Sequence, residues 1–129
     1  MINLEKIYSQ IYFGTYQTNY NTGNVDRTTN LRIATSKING YILRPGQEFS
    51  YNKVVGKMTI DAGYRAAPIY SGGKVVDDIG GGICQVSSTL YNAALLSNLE
   101  ITSRSNHSFI TSYAEPRKRC NSILWSNRF

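Results

Sequence analysis

The sequence predicts a single α+β domain, in which a small, mainly antiparallel sheet packs on a helix that starts at a GGGICQ segment. Three observations predict this fold class. The chain has 129 residues, is 41% hydrophobic and contains 10 tyrosines, as expected for one folded, β-containing domain. Helical and strand patterns mix without the strand–helix–strand rhythm of a parallel sheet. The sequence also contains no internal repeat.

The elements before the GGGICQ segment follow from local patterns. Alternating residues predict strands, the dipeptide Asn39-Gly40 is a helix stop signal, and Pro45-Gly46 fits the centre of a type II turn. In chain order we expect an exposed edge strand at 13–20, a turn-rich connection at 21–26, a helix at about 29–38, a turn at 43–46, a short strand at 48–52, an irregular segment at 54–64, and a hairpin of strands 68–70 and 74–76.

The central helix is predicted to follow three consecutive glycines and to end near Asn98. Apolar residues recur along it at spacings of three and four and mark one buried face: Ile83, Val86, Leu90 and Ala94. Cys84 therefore lies in the first turn, where unpaired backbone N–H groups and the helix dipole lower the pKa of a thiol. After the helix we expect strands at 101–104 and 107–113.

Composition excludes several classes of protein. The net charge of +6 is modest, and basic residues are not interleaved with aromatic residues as in a nucleic-acid interface. The charge fits a solvated basic surface or attraction to an anionic polymer such as a cell wall. No apolar run approaches the roughly 20 residues that cross a bilayer, and no signal peptide opens the chain.

Metal, cofactor and disulfide chemistry are not expected. One histidine and two cysteines without paired spacing fall short of the four ligands of a structural zinc site. Nothing in the pattern pairs Cys84 with Cys120, and a core of this size needs no disulfide.

Several segments taken together resemble the VanW family. The matching pieces are residues 27–31, 38–40, 43–52, 55–56, 63–64 and 80–96, together with Arg104 and His107-Ser108. They lie in unbroken order between about residues 13 and 113, and the GGGICQ string is the most specific of them. The resemblance implies a VanW-like domain over residues 1–116, with its core at 13–113.

The VanW resemblance implies a place more than a reaction. Such domains belong to secreted or membrane-anchored envelope proteins of Gram-positive-type bacteria, and the founding member belongs to a vancomycin-resistance cluster. The implied setting is extracytoplasmic, at the cell wall. The implied partner is peptidoglycan or another anionic wall polymer, with no nucleic acid and no membrane insertion by this segment.

The tail at 117–129 departs from the family pattern. The family continues after Pro116 with a strand motif of the type GRDATV, whereas this chain reads RKRCNSILWSNRF. Codons exist for this peptide in which dropping one nucleotide gives GRDATVSYGVID. We therefore interpret the tail as out-of-frame sequence that truncates the domain, which would make Cys120 and the basic run 117–119 accidental. The alternative is a divergent tail.

Cys84 and His107 form the candidate catalytic pair. Cysteine catalysis needs a thiol nucleophile and a histidine that moves its proton, and His107 is the only histidine in the chain. Their order is similar to that of transglutaminase-like and papain-like folds, with an orienting Asp present only in the restored frame. This layout predicts acyl transfer or amide hydrolysis, with Gln85 as a possible oxyanion donor. The alternative for Cys84 is a small buried residue.

A second group of residues are candidates for substrate binding: Gly80, Gly81, Gly82, Arg27 and Arg104. The glycines can bring backbone against a substrate or against a neighbouring strand. The arginines can contact an anionic wall polymer or form internal ion pairs with carboxylates. If all these residues serve packing, the chain is a non-catalytic binding or structural module of the envelope.

Overall fold

The computed structural model describes residues 14–107, 111–113 and 122–126, the last of these as backbone only. The described helices are α1 (Val25–Ile38), α2 (Tyr51–Val55) and α3 (Ile83–Leu96). The described strands are β1 (Glu48–Ser50), β2 (Ala66–Ser71), β3 (Lys74–Ile79), β4 (Glu100–Ser105) and β5 (Ser122–Ser126). The chain is a single α+β domain, as the sequence predicts.

One core joins α1, α2, α3 and the strand β1. Its buried members are Leu31, Ala34, Ile38, Phe49, Tyr51, Val55, Tyr64, Ile83, Val86, Leu90, Tyr91 and Ala94. The face predicted for the central helix is therefore confirmed, since all four of its apolar residues are in this core. Because α3 buries most of its surface, the other elements are arranged around it.

The strands form two antiparallel units. β1, β5 and β4 make a three-stranded sheet in that order, with Phe49 opposite Trp125 and Ile101 opposite the same residue. β2 and β3 form the predicted hairpin, joined at Gly72-Gly73. Glycine suits this two-residue turn because both positions have positive φ, 56° and 80°.

Helix α1 begins earlier than predicted, at Val25 rather than near residue 29. The side chain of Asn24 caps it by accepting a hydrogen bond of 2.9 Å from the N–H of Arg27. The predicted end is confirmed: Asn39 follows the last helical residue, and Gly40 has φ of +78°. The predicted type II turn is also confirmed, since the N–H of Gln47 bonds the carbonyl of Arg44 at 3.0 Å and Gly46 has positive φ.

Two predicted strands near the middle and end of the chain are wrong in part. The strand at 48–52 ends at Ser50, because the Ser50 side chain caps the short helix α2 at the N–H of Lys53. The strand at 101–104 is present as β4. His107 and residues 111–113 are not in a strand, and residues 108–110 lie outside the described part.

The strand predicted at 13–20 is also wrong for the described residues 14–20. These residues form an extended segment along α3 without strand pairing. The N–H of Gly14 bonds Ser97 Oγ at 2.9 Å near the end of α3. The hydroxyls of Thr18 and Thr89 are 2.8 Å apart, nearer its start. The segment therefore runs antiparallel to the helix and forms hydrogen bonds with polar side chains at and near its end and along its length.

Candidate functional site

Cys84 lies in the first turn of α3 and is partly exposed. Burial raises the pKa of its thiol, and this outweighs the lowering by the Arg27 guanidinium and by its own backbone N–H. The expected lowering at a helix start is thus present but is not the larger effect. At neutral pH the thiol rests protonated, and it needs a base to become a nucleophile.

Arg27 reaches from α1 across the first turn of α3. Its Nη2 donates a hydrogen bond of 2.7 Å to Oε1 of Gln85. Its Nη1 lies 2.8 Å from where a β-carbon of Gly82 would stand. The guanidinium therefore occupies the space left by a missing side chain at Gly82. Its bonded partner is an amide oxygen rather than one of the carboxylates considered for an ion pair.

Gln85 is buried, with 3% of its surface exposed. Its Nε2 donates to Thr18 Oγ1 at 3.0 Å and to the carbonyl of Asn19 at 2.9 Å. A primary amide has two N–H donors, so both are occupied. The predicted donation to an oxyanion would require one of these bonds to break. In this structure Gln85 orients Arg27 and fastens the extended segment to α3.

The three glycines allow close internal contacts. A β-carbon on Gly81 would collide with the backbone carbonyl of Ala67 in β2, and one on Gly80 would collide with the side chain of Met58. Gly82 has φ of +101° and begins α3. Of the two approaches considered from the sequence, the structure shows the one against a neighbouring strand.

Asn30 holds the glycine turn in place and is completely buried. Its Oδ1 accepts a bond of 2.8 Å from the N–H of Arg65, while its Nδ2 donates to the carbonyls of Arg65 and Gly81 at 2.9 and 3.0 Å. Sequence reasoning gave it no role. A signal was available, because an amide on the apolar face of α1 must satisfy its polar atoms.

Arg104 and His107 follow α3 in the sequence. Arg104, in β4, places its guanidinium 5.0 Å from the ring centre of Tyr91 on α3, a cation–π contact. His107 follows β4 by two residues and is partly buried, with its Nδ1 atom buried. The guanidinium of Arg104 and the ring of Tyr91 thereby connect β4 to the helix.

Tyr113 was not predicted as a site residue, yet its phenol interacts electrostatically with the start of α3. The Cys84 sulfur and the Arg27 guanidinium both act electrostatically on the Tyr113 phenol, and the hydroxyls of Ser88 and Thr111 approach it. Burial is the largest effect and raises the pKa of Tyr113. Within the described residues, neither Tyr113 OH nor Thr111 Oγ1 makes a well-aligned hydrogen bond, although both atoms are buried.

A cavity of about 540 Å³ opens beside α2. It is lined by Tyr51, Asn52, Lys53, Val55, Gly56, Lys57, Met58 and Ile83. The hydroxyl of Tyr51 donates to the Ile83 carbonyl at 2.9 Å and so fixes one wall to the start of α3. Across the described ranges, no three His, Cys, Asp or Glu side chains gather to bind a metal. Within the same ranges, none of the helices has the length and apolar character to cross a membrane.

The fold and the GGGICQ site define the class of protein. A family model described as VanW like protein matches residues 26–125, so the chain belongs to the VanW-like family, as the sequence predicts. The match extends through residues 122–125 of β5, within the tail interpreted as out of frame. No solved structure matches the chain.

Two relatives carry the comparison further. Over 103 residues the chain is 40% identical to a Bacillus subtilis (strain 168) protein named "Uncharacterized protein YoaR", covering 80% of this chain and 34% of the relative. It is 32% identical, also over 103 residues, to "Vancomycin B-type resistance protein VanW" of Enterococcus faecalis (strain ATCC 700802 / V583), covering 76% and 37%. The chain thus spans about a third of the length of these curated relatives.

Proposed function

We propose that this chain is a domain of an extracytoplasmic envelope protein that acts at peptidoglycan or another anionic wall polymer in glycopeptide resistance. Membership of the VanW-like family and the printed name of the Enterococcus relative support the link to vancomycin resistance. The net charge of +6 supports an anionic polymer as the partner.

The proposed reaction is acyl transfer or amide hydrolysis with Cys84 as nucleophile and His107 as base. The observation that carries this proposal is a partly exposed thiol in the first turn of α3, with the guanidinium of Arg27 acting on it. Arg27 has donors beyond the one bonded to Gln85 and can meet an anionic substrate group.

The packing of β4 on α3 supports the pairing of Cys84 with His107. Arg104 contacts Tyr91, and the N–H of Leu99 bonds the Ala94 carbonyl at 3.1 Å, so β4 runs back along the helix. From Tyr91 to Cys84 the helix covers about 10 Å at 1.5 Å per residue. Because β4 ends at Ser105, the chain from Arg104 to His107 covers at most about 10 Å. The imidazole can thus reach the level of the sulfur.

The proposed reaction proceeds through a tetrahedral intermediate and a thioester on Cys84. His107 takes the thiol proton as the Cys84 sulfur attacks an amide carbonyl, forming a C–S bond and moving the C=O π pair to oxygen. Collapse breaks the C–N bond, and the leaving amine takes the proton from His107. Water, or an acceptor amine, then attacks the thioester through the same base and releases the thiol.

A second candidate function is a non-catalytic binding module of the envelope. Two observations favour it: the glycine turn is filled by Ala67, Met58 and Arg27 of the chain itself, and burial raises the pKa of the Cys84 thiol. In this function the GGGICQ segment is a packing device, and Arg104 or exposed lysines meet the polymer.

Purified peptidoglycan sacculi from a Gram-positive bacterium separate these candidates. The parent chain, Cys84→Ala and the matched Cys120→Ala are each incubated with sacculi. Bound protein is measured by sedimentation, and newly freed amines are measured with an amine-reactive dye. Amide hydrolysis predicts net amine release by the parent and Cys120→Ala and none by Cys84→Ala; acyl transfer, which consumes one amine for each one freed, predicts covalent incorporation of an added fluorescent amine by the same two chains and none by Cys84→Ala. If all three chains bind equally and no reaction is detected, the result would support the non-catalytic binding module. If no chain binds and no reaction is detected, the result would contradict both functions.

A further inference from the structure

The cavity beside α2 has no part in the reaction described so far, and its lining does not include Cys84. Its volume of about 540 Å³ lies within the range of about 300–1,000 Å³ that is usual for small-ligand pockets. Four of the lining residues are apolar or aromatic: Tyr51, Val55, Met58 and Ile83. All of these except Met58 belong to the core, so this wall is a fixed part of the fold and can take up an apolar group.

Two lysines give the cavity its charge. Lys53 lies in α2, and Lys57 follows the end of that helix. Gly56, between the helix and Lys57, has φ of +70°, a conformation that favours glycine and turns the chain. Both lysines thereby line one cavity, whose lining includes no aspartate or glutamate among the described residues.

A third ammonium group reaches the same wall. Nζ of Lys37 in α1 donates a hydrogen bond of 2.7 Å to the carbonyl of Val55, the last residue of α2. Carbonyls at the end of a helix carry partial negative charge, which repels anions. The charge of Lys37 offsets this repulsion. The cavity therefore combines an apolar wall with positive charge, and its complement is an anion that also carries an apolar group.

The cavity also borders the start of α3. Ile83 is one of its lining residues and immediately precedes Cys84. The hydroxyl of Tyr51 holds the Ile83 carbonyl at 2.9 Å. A ligand seated in the cavity is therefore anchored next to the helical turn that carries the thiol.

We propose that this cavity binds a carboxylate together with the short alkyl group beside it, as found in the peptide stems of peptidoglycan. This inference rests on the function proposed above and names the part of the polymer that is recognised. Lys53 and Lys57 donate charge-assisted hydrogen bonds to the carboxylate, and Val55 and Met58 contact the alkyl group. A phosphodiester-linked polyol fits less well, because it is polar throughout and would leave the apolar wall without an apolar partner.

Soluble muropeptides test this assignment. Sacculi from a Gram-positive bacterium are digested with a muramidase, and part of a purified muropeptide is treated with methylamine and a carbodiimide, which converts its carboxylates into neutral amides. Binding of both forms, and of wall teichoic acid as a phosphodiester polymer, is measured by isothermal titration calorimetry. The chains compared are the parent, Lys53→Gln, Lys57→Gln and the matched control Lys74→Gln, at an exposed lysine of β3.

We expect the parent to bind the intact muropeptide and to lose this binding when the carboxylates are amidated. Lys53→Gln and Lys57→Gln should each weaken binding about 10-fold, the loss expected when one hydrogen bond to a charged group is removed. Lys74→Gln should bind like the parent. All three lysines are exposed, so each variant should keep the transition temperature of the parent.

The outcomes distinguish this inference from the proposed function. Equal binding by the parent and both cavity variants, or undiminished binding after amidation, would overturn the inference and leave the proposed function. Teichoic acid that binds more tightly than the muropeptide, with a loss in the cavity variants, would overturn the assignment to a carboxylate. A parent that sediments with intact sacculi but binds no muropeptide would overturn it as well. If the parent binds neither the muropeptide, nor teichoic acid, nor sacculi, the proposed function fails too.

Discussion

At the scale of single residues, the state of Cys84 is a balance of three effects. Its own N–H and Arg27 favour the thiolate, while burial favours the thiol and is larger. The GGGICQ string predicts the effect of the backbone N–H, because its glycines place Cys84 at the start of a helix. Burial depends on how the folded chain packs around the start of α3, which no local pattern predicts. A thiol at a helix start is therefore not by itself an activated thiol.

The raised pKa of Cys84 predicts how stability depends on pH. The unfolded thiol loses its proton near pH 8.5, while the folded thiol still holds it. The contribution of this thiol to the free energy of unfolding is therefore complete below that pH, and it is lost as the pH rises towards the folded pKa. We expect urea unfolding between pH 8 and 10 to show a shallower fall for Cys84→Ser than for the parent, with Cys120→Ser as control. An unchanged slope in Cys84→Ser would contradict the burial of this thiol.

Gly81 is the residue at which packing leaves least freedom. Its substitution by alanine puts a methyl group into the carbonyl of Ala67, a backbone atom that cannot move alone. We expect Gly81→Ala to lower the free energy of unfolding by about 1–3 kcal/mol. Gly23→Ala, which meets only the flexible side chain of Asn21, should stay within about 0.5 kcal/mol. Equal effects in chemical denaturation would contradict the close approach of the turn to β2.

At the scale of elements, the site is held by polar connections between α1 and α3. Asn30 joins α1 to the glycine turn and to Arg65, and Arg27 joins α1 to Gln85. The Asn30 side chain accepts a hydrogen bond from the N–H of Arg65 and donates one to its carbonyl. The backbone of a neighbouring β-strand would make the same two bonds. These bonds fix the start of α3 more firmly than apolar contact alone.

Removing Asn30 should therefore loosen the start of α3. Asn30→Ala leaves two backbone carbonyls and one N–H without their side-chain partner, at about 1–3 kcal/mol for each buried group left unsatisfied. We expect a loss of several kcal/mol in the free energy of unfolding and faster amide hydrogen exchange in the first turn of α3. Asn39→Ala, at an exposed asparagine after α1, is the control. Amide hydrogen exchange in Asn30→Ala that is as slow as in the parent would show that the Asn30 hydrogen bonds do not hold the start of α3.

The elements that the sequence predicted are those with local signals. The apolar spacing of α3, the Gly72-Gly73 turn and the Asn39-Gly40 stop are each encoded within a few residues. The strand at 13–20 failed because its alternation serves contact with α3 rather than with another strand. The continuation of the strand after Ser50 failed because a serine cap begins α2. Tyr113 was missed because its electrostatic interaction with Cys84 exists only in the folded chain.

At the scale of the whole molecule, β5 is the central strand of the three-stranded sheet. It lies in the tail at 117–129, which we interpret as out of frame. The restored reading GRDATVSYGVID alternates apolar and polar residues, as a half-buried strand requires, whereas the tail places Ile123, Leu124 and Trp125 in sequence. The interpretation of the tail stays a prediction.

A chain with the restored reading from residue 117 tests that interpretation. Because the central strand pairs on both edges, its better pattern should raise the transition temperature, by about 4 °C for each kcal/mol gained in a domain of this size. Calorimetry of the two chains provides the comparison. Equal transition temperatures, or a lower one for the restored chain, would favour a divergent but native tail.

The pH dependence of acylation at Cys84 tests the proposed reaction most directly. The rate with p-nitrophenyl acetate is measured from pH 5 to 10 for the parent and for His107→Ala, both carrying Cys120→Ala. A base that takes the thiol proton predicts a rate that rises as an imidazole becomes neutral, over roughly pH 5 to 8, and then levels. The same base predicts a loss of about 100-fold or more in His107→Ala at pH 7.5. Identical profiles in the two chains, both still rising above pH 9 with the thiol's own ionisation, would contradict catalysis by this pair.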